Sequence, residues 1–355
     1  MSRYVDDASA GTVEDPPIPG LSEDQSPGPD AEPPPELAMI ARTAAFVSSG
    51  LFLYVGELGI PDMLADGPRS ADALAREAKV DPDALYRVLR MLSAEGVFSE
   101  VSPQTFRQTP VSEVLRLFSG RRLFLQLPRI LETGRTGMEL AFGMSLWEYF
   151  DSHPAESALF NRAQAILNES DSDAVVAGYD WSGVSRVLDL GGGTGTLLGA
   201  ILDANPALTG ILVERQAVVP EASEAIAKRG LAERCEVVAG DFLRAVPSVG
   251  ADVTILSHIV HDFDDEAAVT ILRNARAAMR PGDRLLIVEA VIPPGDAPHP
   301  AKSGDVMMLV FSGGRERSAD EYRTLLARAG LRLTRVVTLP PTPGGIDLIE
   351  AVVAT

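Results

Sequence analysis

The stretch from Arg186 to Thr196, RVLDLGGGTGT, decides the fold of this chain. A short apolar strand carries Asp189 near its end and runs into a glycine cluster, and a helical pattern follows. Glycines at such a turn let the backbone approach a ligand closely and adopt positive φ without steric cost. Because the first strand-to-helix turn of a doubly wound sheet binds nucleotide-like ligands, the stretch predicts an α/β fold with its ligand site at this turn.

The glycine spacing separates the classes of ligand. A dinucleotide-binding turn has the pattern Gly-x-Gly-x-x-Gly, and Gly191 and Gly193 fit its first two positions. Thr196 occupies the third position, and the extra glycine falls at Gly195. This spacing disfavours a nicotinamide dehydrogenase. A glycine-rich turn with no ligand is the structural alternative.

The segments after Ser185 predict the rest of the sheet. Strands and helices alternate there, which favours a parallel sheet. The predicted strands are 186–190, 210–214, 235–239, 251–257, 284–290, 332–338 and 346–353. The last two follow each other without a clear helix between them, so we expect the final strand to be antiparallel.

Composition limits the possible functions. The chain has 355 residues, enough for about two domains, and a net charge of −19, which repels nucleic acid and anionic membranes. Its one cysteine, Cys235, cannot form an intrachain disulfide, as is typical of the reducing cytoplasm. With four histidines and one cysteine, we expect no transition-metal site. We also expect no stretch apolar enough to span a bilayer, and the acidic, proline-rich N-terminus is unlike a signal peptide.

The N-terminal third contains three kinds of segment. Residues 1–35 are rich in proline and acidic residues and predict a disordered tail. Residues 36–64 predict a helix apolar around much of its circumference, buried against a partner subunit. Residues 69–112 have the pattern of a winged helix, with two short helices and a hairpin, and complete a domain at 36–112. A DNA-binding regulator is the alternative for this part, but acidic and basic residues mix on its second helix.

The remaining chain divides into a helical segment and the ligand domain. Residues 113–180 predict helices with many aromatic side chains, which we interpret as a linker and a roof over the pocket. Residues 181–355 form the ligand-binding domain in this interpretation.

Acidic residues follow the second and third strands of the sheet. Glu214 ends the second strand, where a carboxylate accepts hydrogen bonds from the ribose hydroxyls of an adenosine. Asp241 follows the third strand and can accept from the adenine amino group, with Phe242 against the ring. Each acid alone could be a solvated strand end, but together with the glycine turn they predict an adenosine site.

A histidine and two glutamates fall at the same edge of the sheet. His261 lies just beyond the fourth strand, Glu289 ends the fifth, and Glu316 lies in the turn 313–317. A carboxylate on one imidazole nitrogen fixes the tautomer and raises the basicity of the other nitrogen. The arrangement predicts a general base.

Four motifs together resemble one family. They are the turn Asp-x-Gly-x-Gly-x-Gly at 189–195, His-Asp-Phe-Asp-Asp-Glu at 261–266, Ile-Val-Glu at 287–289 and Gly-Gly-Arg-Glu-Arg-Ser at 313–318. In order and spacing they are similar to motifs of the caffeic-acid type of small-molecule O-methyltransferases that use S-adenosylmethionine (SAM). The resemblance covers residues 36–355.

The resemblance implies a fold, a cofactor and partners. The fold is a Rossmann-like SAM methyltransferase sheet behind an N-terminal dimerisation domain, and the protein is a homodimer without metal, nucleic acid or membrane partners. His261 is the base, flanked by Glu289 and Glu316 and oriented by Asp262. The residues implied to hold SAM, and S-adenosylhomocysteine (SAH) after transfer, are Asp189, Gly191, Gly193, Glu214, Arg215, Asp241, Phe242 and Ser257.

The implied acceptor is a phenol of an aromatic antibiotic or pigment. The predicted pocket walls are Trp147, Phe150, Phe160, Gln164, Asn168, Met307, Met308 and Phe311. Two positions depart from the family: Ser257 stands where plant members have lysine, and Gln164 where many members have methionine. Relatives that bind SAM without methylating are the alternative, but they typically lack the basic histidine.

The expected reaction is in-line attack of the hydroxyl oxygen on the sulfonium methyl. A phenol has a pKa of about 10 and histidine about 6.5, so full proton transfer would cost roughly 5 kcal/mol. This cost falls if Glu289 raises the pKa of His261, as we expect, or if a neighbouring carbonyl lowers the pKa of the phenol.

Overall fold

The computed structural model describes residues 34–116 and 121–354, and the predicted tail at 1–35 therefore lies almost wholly outside the described residues. Within those ranges, the side chains of Arg121, Ala165, Leu167 and Asn168 are also outside the description. The chain divides into two units, and the boundary after Ser49 falls within helix α1 (Pro35–Glu57).

Helix α1 exposes the apolar side chains that the sequence predicts to be buried. The exposed apolar residues before the boundary are Leu37, Met39, Ile40, Phe46 and Val47. The single chain does not test the prediction of burial against a partner subunit, because burial of this face depends on another surface. An apolar patch of this kind is typical of a subunit interface.

The same helix corrects the expectation that no stretch can span a bilayer. Helix α1 has 23 residues, and an 18-residue stretch within it has a mean hydropathy of 1.5, so it is long and apolar enough to do so. Length and composition alone do not separate a membrane span from a helix that packs against a partner subunit.

The first elements of the second unit lie where two helices and a hairpin are predicted. They are α2 (Ile60–Met63), β1 (Arg69–Ser70), α3 (Ala71–Ala78), α4 (Pro82–Ala94), β2 (Phe98–Ser102), β3 (Thr105–Gln108) and α5 (Pro110–Leu115). Gly59, with φ of 70°, ends the single helix predicted over 36–64 and starts α2. The three strands form an antiparallel sheet. Phe98 and Phe106 on its strands and Leu89 on α4 are buried in one apolar core.

Five further helices precede the large sheet, as the sequence predicts for this segment. They are α6 (Arg121–Phe124), α7 (Leu127–Thr133), α8 (Gly137–Phe142), α9 (Leu146–Ser152) and α10 (Pro154–Gly178). Ile130, Met138 and Tyr149 form a small core with Val310, which belongs to a later helix. The C-terminal part of the chain therefore contributes to the same cluster as these helices.

Seven strands form the large sheet, and all seven lie within two residues of their predicted bounds. They are β4 (Arg186–Leu190), β5 (Thr209–Glu214), β6 (Cys235–Ala239), β7 (Val253–Ser257), β8 (Arg284–Ala290), β9 (Leu331–Thr338) and β10 (Ile346–Val353). Their order is β6-β5-β4-β7-β8-β10-β9, and β10 is antiparallel to both neighbours, which confirms the prediction for the last strand.

Helices cover both faces of this sheet and give it two apolar cores. They are the C-terminal end of α10 with α11 (Thr196–Ala204) and α12 (Val219–Lys228) on one face, and α13 (Asp265–Ala278) and α15 (Ala319–Arg328) on the other. A short 3₁₀ turn lies at Val260–Asp262, and α14 (Pro300–Phe311) packs against α6, α7 and α8. The chain order changes direction between β4 and β7, and the crevice at the carboxyl ends of such strands is where open α/β sheets bind ligands.

Candidate active site

The glycine turn after β4 requires glycine for two separate reasons. Gly191, Gly193 and Gly195 have φ of 74°, 58° and 81°, in the left-handed region. A Cβ on Gly191 would also lie 2.6 Å from Cδ1 of Ile259. The turn therefore brings the backbone against the segment that follows β7 and leaves room for a ligand.

Asp189 is a buried carboxylate beside this turn. It is fully buried, and neither carboxylate oxygen has a hydrogen-bond partner among the described residues. Burial, and then the charge of Glu214, raise the pKa of Asp189 to about 7. Because buried polar groups are normally hydrogen-bonded, this carboxylate fits a ligand that donates hydrogen bonds.

A cavity of about 550 Å³ opens over the turn. All eight residues implied to hold the cofactor line it: Asp189, Gly191, Gly193, Glu214, Arg215, Asp241, Phe242 and Ser257. Glu214 is largely buried; burial raises its pKa, against a hydrogen bond from the Arg215 backbone N–H. The sequence-predicted set therefore lies together, with acidic groups on the β5 side and an aromatic ring after β6.

Arg215 connects this wall to helix α9. Its guanidinium lies 3.1 Å from Asp151 and 5.8 Å from the centre of the Trp147 ring. The sequence analysis missed Asp151, which lines the cavity, because no local pattern links α9 to the end of β5.

His261 forms a buried pair with Glu316. Its Nδ1 lies 2.9 Å from Oε1 of Glu316, and both side chains are more than nine-tenths buried. The carboxylate accepts, so Nδ1 carries the hydrogen and Nε2 is left as the second ring nitrogen.

Glu289 holds the backbone that carries His261, not the imidazole ring itself. Its Oε1 accepts from the backbone N–H groups of Ile259, Val260 and His261 at 3.0, 2.6 and 3.2 Å. Its Oε2 accepts from the hydroxyl of buried Tyr322. Of the two glutamates predicted to flank the base, Glu316 contacts the ring and Glu289 fixes the turn.

The carboxylates around His261 change its pKa. Burial by itself lowers the pKa, but the hydrogen bond to Glu316 and the charges of Glu289, Asp262 and Glu316 raise it to about 10. The expectation that Glu289 raises this pKa is confirmed in direction, although the hydrogen bond to Glu316 has the larger effect. Burial in turn raises the pKa of Asp262 to about 6, against the lowering effect of the His261 charge.

The turn at 313–317 holds the His261 backbone from the other side. A Cβ on Gly314 would lie 1.9 Å from the carbonyl oxygen of His261, and the Arg315 N–H donates to that oxygen at 2.8 Å. The Arg317 guanidinium, 1% exposed, donates to the carbonyl of Val260 at 3.1 Å. The sequence motif therefore supplies a tight backbone approach and a buried arginine in addition to Glu316.

The predicted acceptor walls are only partly brought together. Trp147, Phe160 and Gln164 line the cavity. The described residues that form its lining do not include His261, Phe150, Met307, Met308 or Phe311. The side chain of Asn168 lies outside the described residues.

Two aromatic walls predicted for the acceptor lie in the helical cluster instead. Phe311 meets Phe124 edge-on, with ring centres 6.2 Å apart, and Phe150 packs on Phe160 at 4.9 Å. In this structure the cavity reaches Asp262, the residue that follows His261 in the chain.

The sequence analysis did not assign a role to His258. Its Nε2 lies 3.0 Å from Oδ2 of Asp171, and the imidazole lines the cavity.

Within 34–116 and 121–354, no group of three or more His, Cys, Asp or Glu residues is arranged to hold a metal ion.

Two family models match the chain. The O-methyltransferase domain matches residues 124–332, which is more than half of the chain, and the O-methyltransferase dimerisation domain matches residues 42–116. The chain belongs to the O-methyltransferase family. The family predicted from the sequence motifs is thereby confirmed.

Relatives of this O-methyltransferase act in bacterial secondary metabolism. It is 39% identical to the phenazine O-methyltransferase PhzM of Lysobacter antibioticus, over 87% of this chain and 93% of that one. It is 38% identical to the mitomycin biosynthesis 6-O-methyltransferase of Streptomyces lavendulae, over 83% of this chain and 88% of that one.

Solved structures confirm the Rossmann-like methyltransferase fold. The mitomycin 7-O-methyltransferase MmcR has a TM-score of 0.73 at 35% identity, over 90% of this chain and 98% of that one. NcsB1 from neocarzinostatin biosynthesis, solved with SAM and 2-hydroxy-5-methyl naphthoic acid, has a TM-score of 0.69 at 31% identity, over 86% of this chain and 96% of that one.

The raised pKa of His261 predicts the pH dependence of this O-methyltransferase. Because a base must be unprotonated to accept a proton, kcat/KM should rise with pH toward about 10, the pKa of His261. Glu316→Gln removes a charge that raises this pKa, so the rising limb should move to lower pH. SAH release against pH measures both profiles, and an unmoved limb in Glu316→Gln would contradict the assignment of the pair.

Proposed function

We propose that the chain moves a methyl group from SAM to a hydroxyl of an aromatic secondary metabolite and releases SAH. The transferase class and its cofactor follow from membership of the O-methyltransferase family. The observation that carries the assignment to this site is the buried His261–Glu316 pair, next in the chain to Asp262, which lines the cavity together with the whole predicted cofactor set.

Different residues of the cavity fit the ribose, the adenine and the amino-acid end of SAM. Glu214 would accept from the ribose hydroxyls, and Asp241 and Phe242 would hold the adenine. The close backbone of the glycine turn and the unpartnered Asp189 oxygens suit the amino-acid end, whose ammonium group donates hydrogen bonds. When bound, SAM supplies an electrophilic methyl on a sulfonium.

The Nε2 atom of His261 takes the proton from the acceptor hydroxyl, because Nδ1 is hydrogen-bonded to Glu316. With the pKa of the imidazole raised to about 10, near that of an ordinary phenol, proton transfer to the unprotonated ring costs much less than the roughly 5 kcal/mol expected for an unperturbed histidine. The imidazole must first lose its own proton, which is why activity should rise with pH. General base assistance contributes about 10²–10⁴-fold. Alignment of oxygen, methyl and sulfur supplies the rest.

The acceptor is an aromatic ring system with a phenolic hydroxyl. The named relatives methylate phenazine, mitomycin, benzoate and naphthoate compounds. Two relatives at 33% and 31% identity are N-methyltransferases. A hydroxyl acceptor is favoured here because an amine attacks through its lone pair before it loses a proton, whereas a phenol gains from the buried base.

The protein acts as a cytoplasmic homodimer joined through its N-terminal helices. The dimerisation model begins at residue 42, inside the exposed apolar part of α1. Burial in a dimer accounts for that face better than a bilayer span does. The winged-helix segment belongs to this dimerisation region and reads no nucleic acid, since the chain carries a net charge of −19.

His261→Gln tests the base. It should lower kcat by about 10²–10⁴-fold without abolishing turnover, because alignment remains when proton transfer is impaired. SAH affinity, measured by calorimetry, should stay unchanged and serves as the control for folding. Wild-type kcat in His261→Gln would remove the histidine from the reaction.

Phe46→Glu tests the dimer. Phe46 is 74% exposed in the single chain, so a charge there should break an interface that buries it, and the protein should sediment as a monomer. Phe46→Leu keeps an apolar side chain and should remain dimeric. If Phe46→Glu sediments like the wild type, α1 does not form the subunit contact.

A further inference from the structure

A second histidine–carboxylate pair lies at the end of β7, and the proposed reaction does not use it. Nε2 of His258 lies 3.0 Å from Oδ2 of Asp171, which belongs to helix α10. Asp171 is 5% exposed, and its Oδ1 has no partner within the described residues. The cavity is lined by His258 and not by Asp171, so the carboxylate supports the imidazole from behind.

The backbone at His258 is unusual. Its φ is 54°, in the left-handed region that residues other than glycine rarely adopt. Its N–H donates to the carbonyl of Val288 at 3.1 Å, and the next N–H, of Ile259, donates to Glu289. Strain of this kind persists where the surroundings hold it and is concentrated at functional sites. The fold thus fixes this imidazole at the cavity wall.

The hydrogen bond to Asp171 decides which ring nitrogen meets a ligand. A carboxylate accepts, so Nε2 of His258 carries the hydrogen and Nδ1 presents a lone pair. No hydrogen bond to Nδ1 is found among the described residues. Asp262, another carboxylate, lines the same part of the cavity. This corner of the cavity therefore attracts hydrogen-bond donors and repels anions.

We propose that the His258–Asp171 pair determines acceptor specificity by accepting a hydrogen bond from a second donor group on the acceptor. That group is a hydroxyl or amine on the ring carbon next to the hydroxyl that is methylated. The His258 and His261 ring centres are 5.5 Å apart, so a donor that meets His258 lies close to the hydroxyl that gives its proton to His261. This inference rests on the proposed function and names its substrate class. Asp171 is the positioning residue of the pair.

The ammonium group of SAM also donates hydrogen bonds, so the cofactor is the other ligand from which His258 can accept one. The two sources differ in what His258 would affect. An acceptor contact changes acceptor selectivity, whereas a cofactor contact changes SAM and SAH affinity.

The test compares two ligands and three variants. The ligands are a naphthalenediol with adjacent hydroxyls and the naphthol that lacks one of them. Their affinities for the SAH-loaded, full-length protein are measured by calorimetry, and methylation is followed separately with SAM. The variants are His258→Asn, in which asparagine tolerates the left-handed backbone, and Asp171→Asn. Asp173→Asn makes the same change at an exposed position of the same helix and is the matched control.

We expect the wild type and Asp173→Asn to bind the diol at least about fivefold more tightly than the naphthol. His258→Asn and Asp171→Asn should lose this preference and keep naphthol and SAH affinity. The proposal is overturned if the wild type shows no preference or binds neither ligand, or if the variants keep the preference. A loss of SAH affinity in the variants would assign the contact to the cofactor. Absence of methyl transfer to any acceptor would overturn the proposed function, while the binding preference decides this inference independently.

Discussion

The turn between β7 and α13 is held by buried hydrogen bonds from two neighbouring segments, and the active site depends on it. From β8, the Glu289 carboxylate accepts three successive backbone N–H groups. From the turn after α14, Arg315 and Arg317 donate to the carbonyls of His261 and Val260. The donors and acceptors of this short turn are thus bonded to groups far away in the sequence, which fixes the direction of each side chain it carries.

This constraint explains why several ionisable groups are tolerated in one buried place. An unpaired buried charge is costly, whereas a paired and hydrogen-bonded one is not. Burial and the charge of Glu289 raise the pKa of Tyr322 well above its ordinary value, so its hydroxyl keeps its proton and donates to Glu289. Glu316 balances the positive charge that His261 acquires when it takes up a proton. These buried groups are stabilised by their contacts with one another, and the raised pKa of His261 is a consequence of the same contacts.

The sheet and the cofactor-binding residues of the cavity could be predicted from the sequence because both depend on local sequence patterns. The central parallel strands are mostly apolar, and the residues at their carboxyl ends reach a common edge, so Glu214, Asp241 and the glycine turn could be placed together. Contacts between distant segments carry no such pattern. The His258–Asp171 pair spans 87 positions, and the Tyr322–Glu289 bond spans 33. Burial of α1 cannot be judged from the single chain because it depends on another surface. Phe311 was predicted as a pocket wall from its apolar character, which equally suits the helical core where it lies.

In this interpretation the glycine turn, with Glu214 and Asp241, forms a SAM site. Calorimetric titration of the purified protein with SAM and with SAH tests whether it does. We predict micromolar binding of both, with SAH at least as tight as SAM, because the cavity holds the adenosine and amino-acid ends that the two share. Binding of neither would contradict the account, since the unpartnered Asp189 and the cavity around it would then need another ligand.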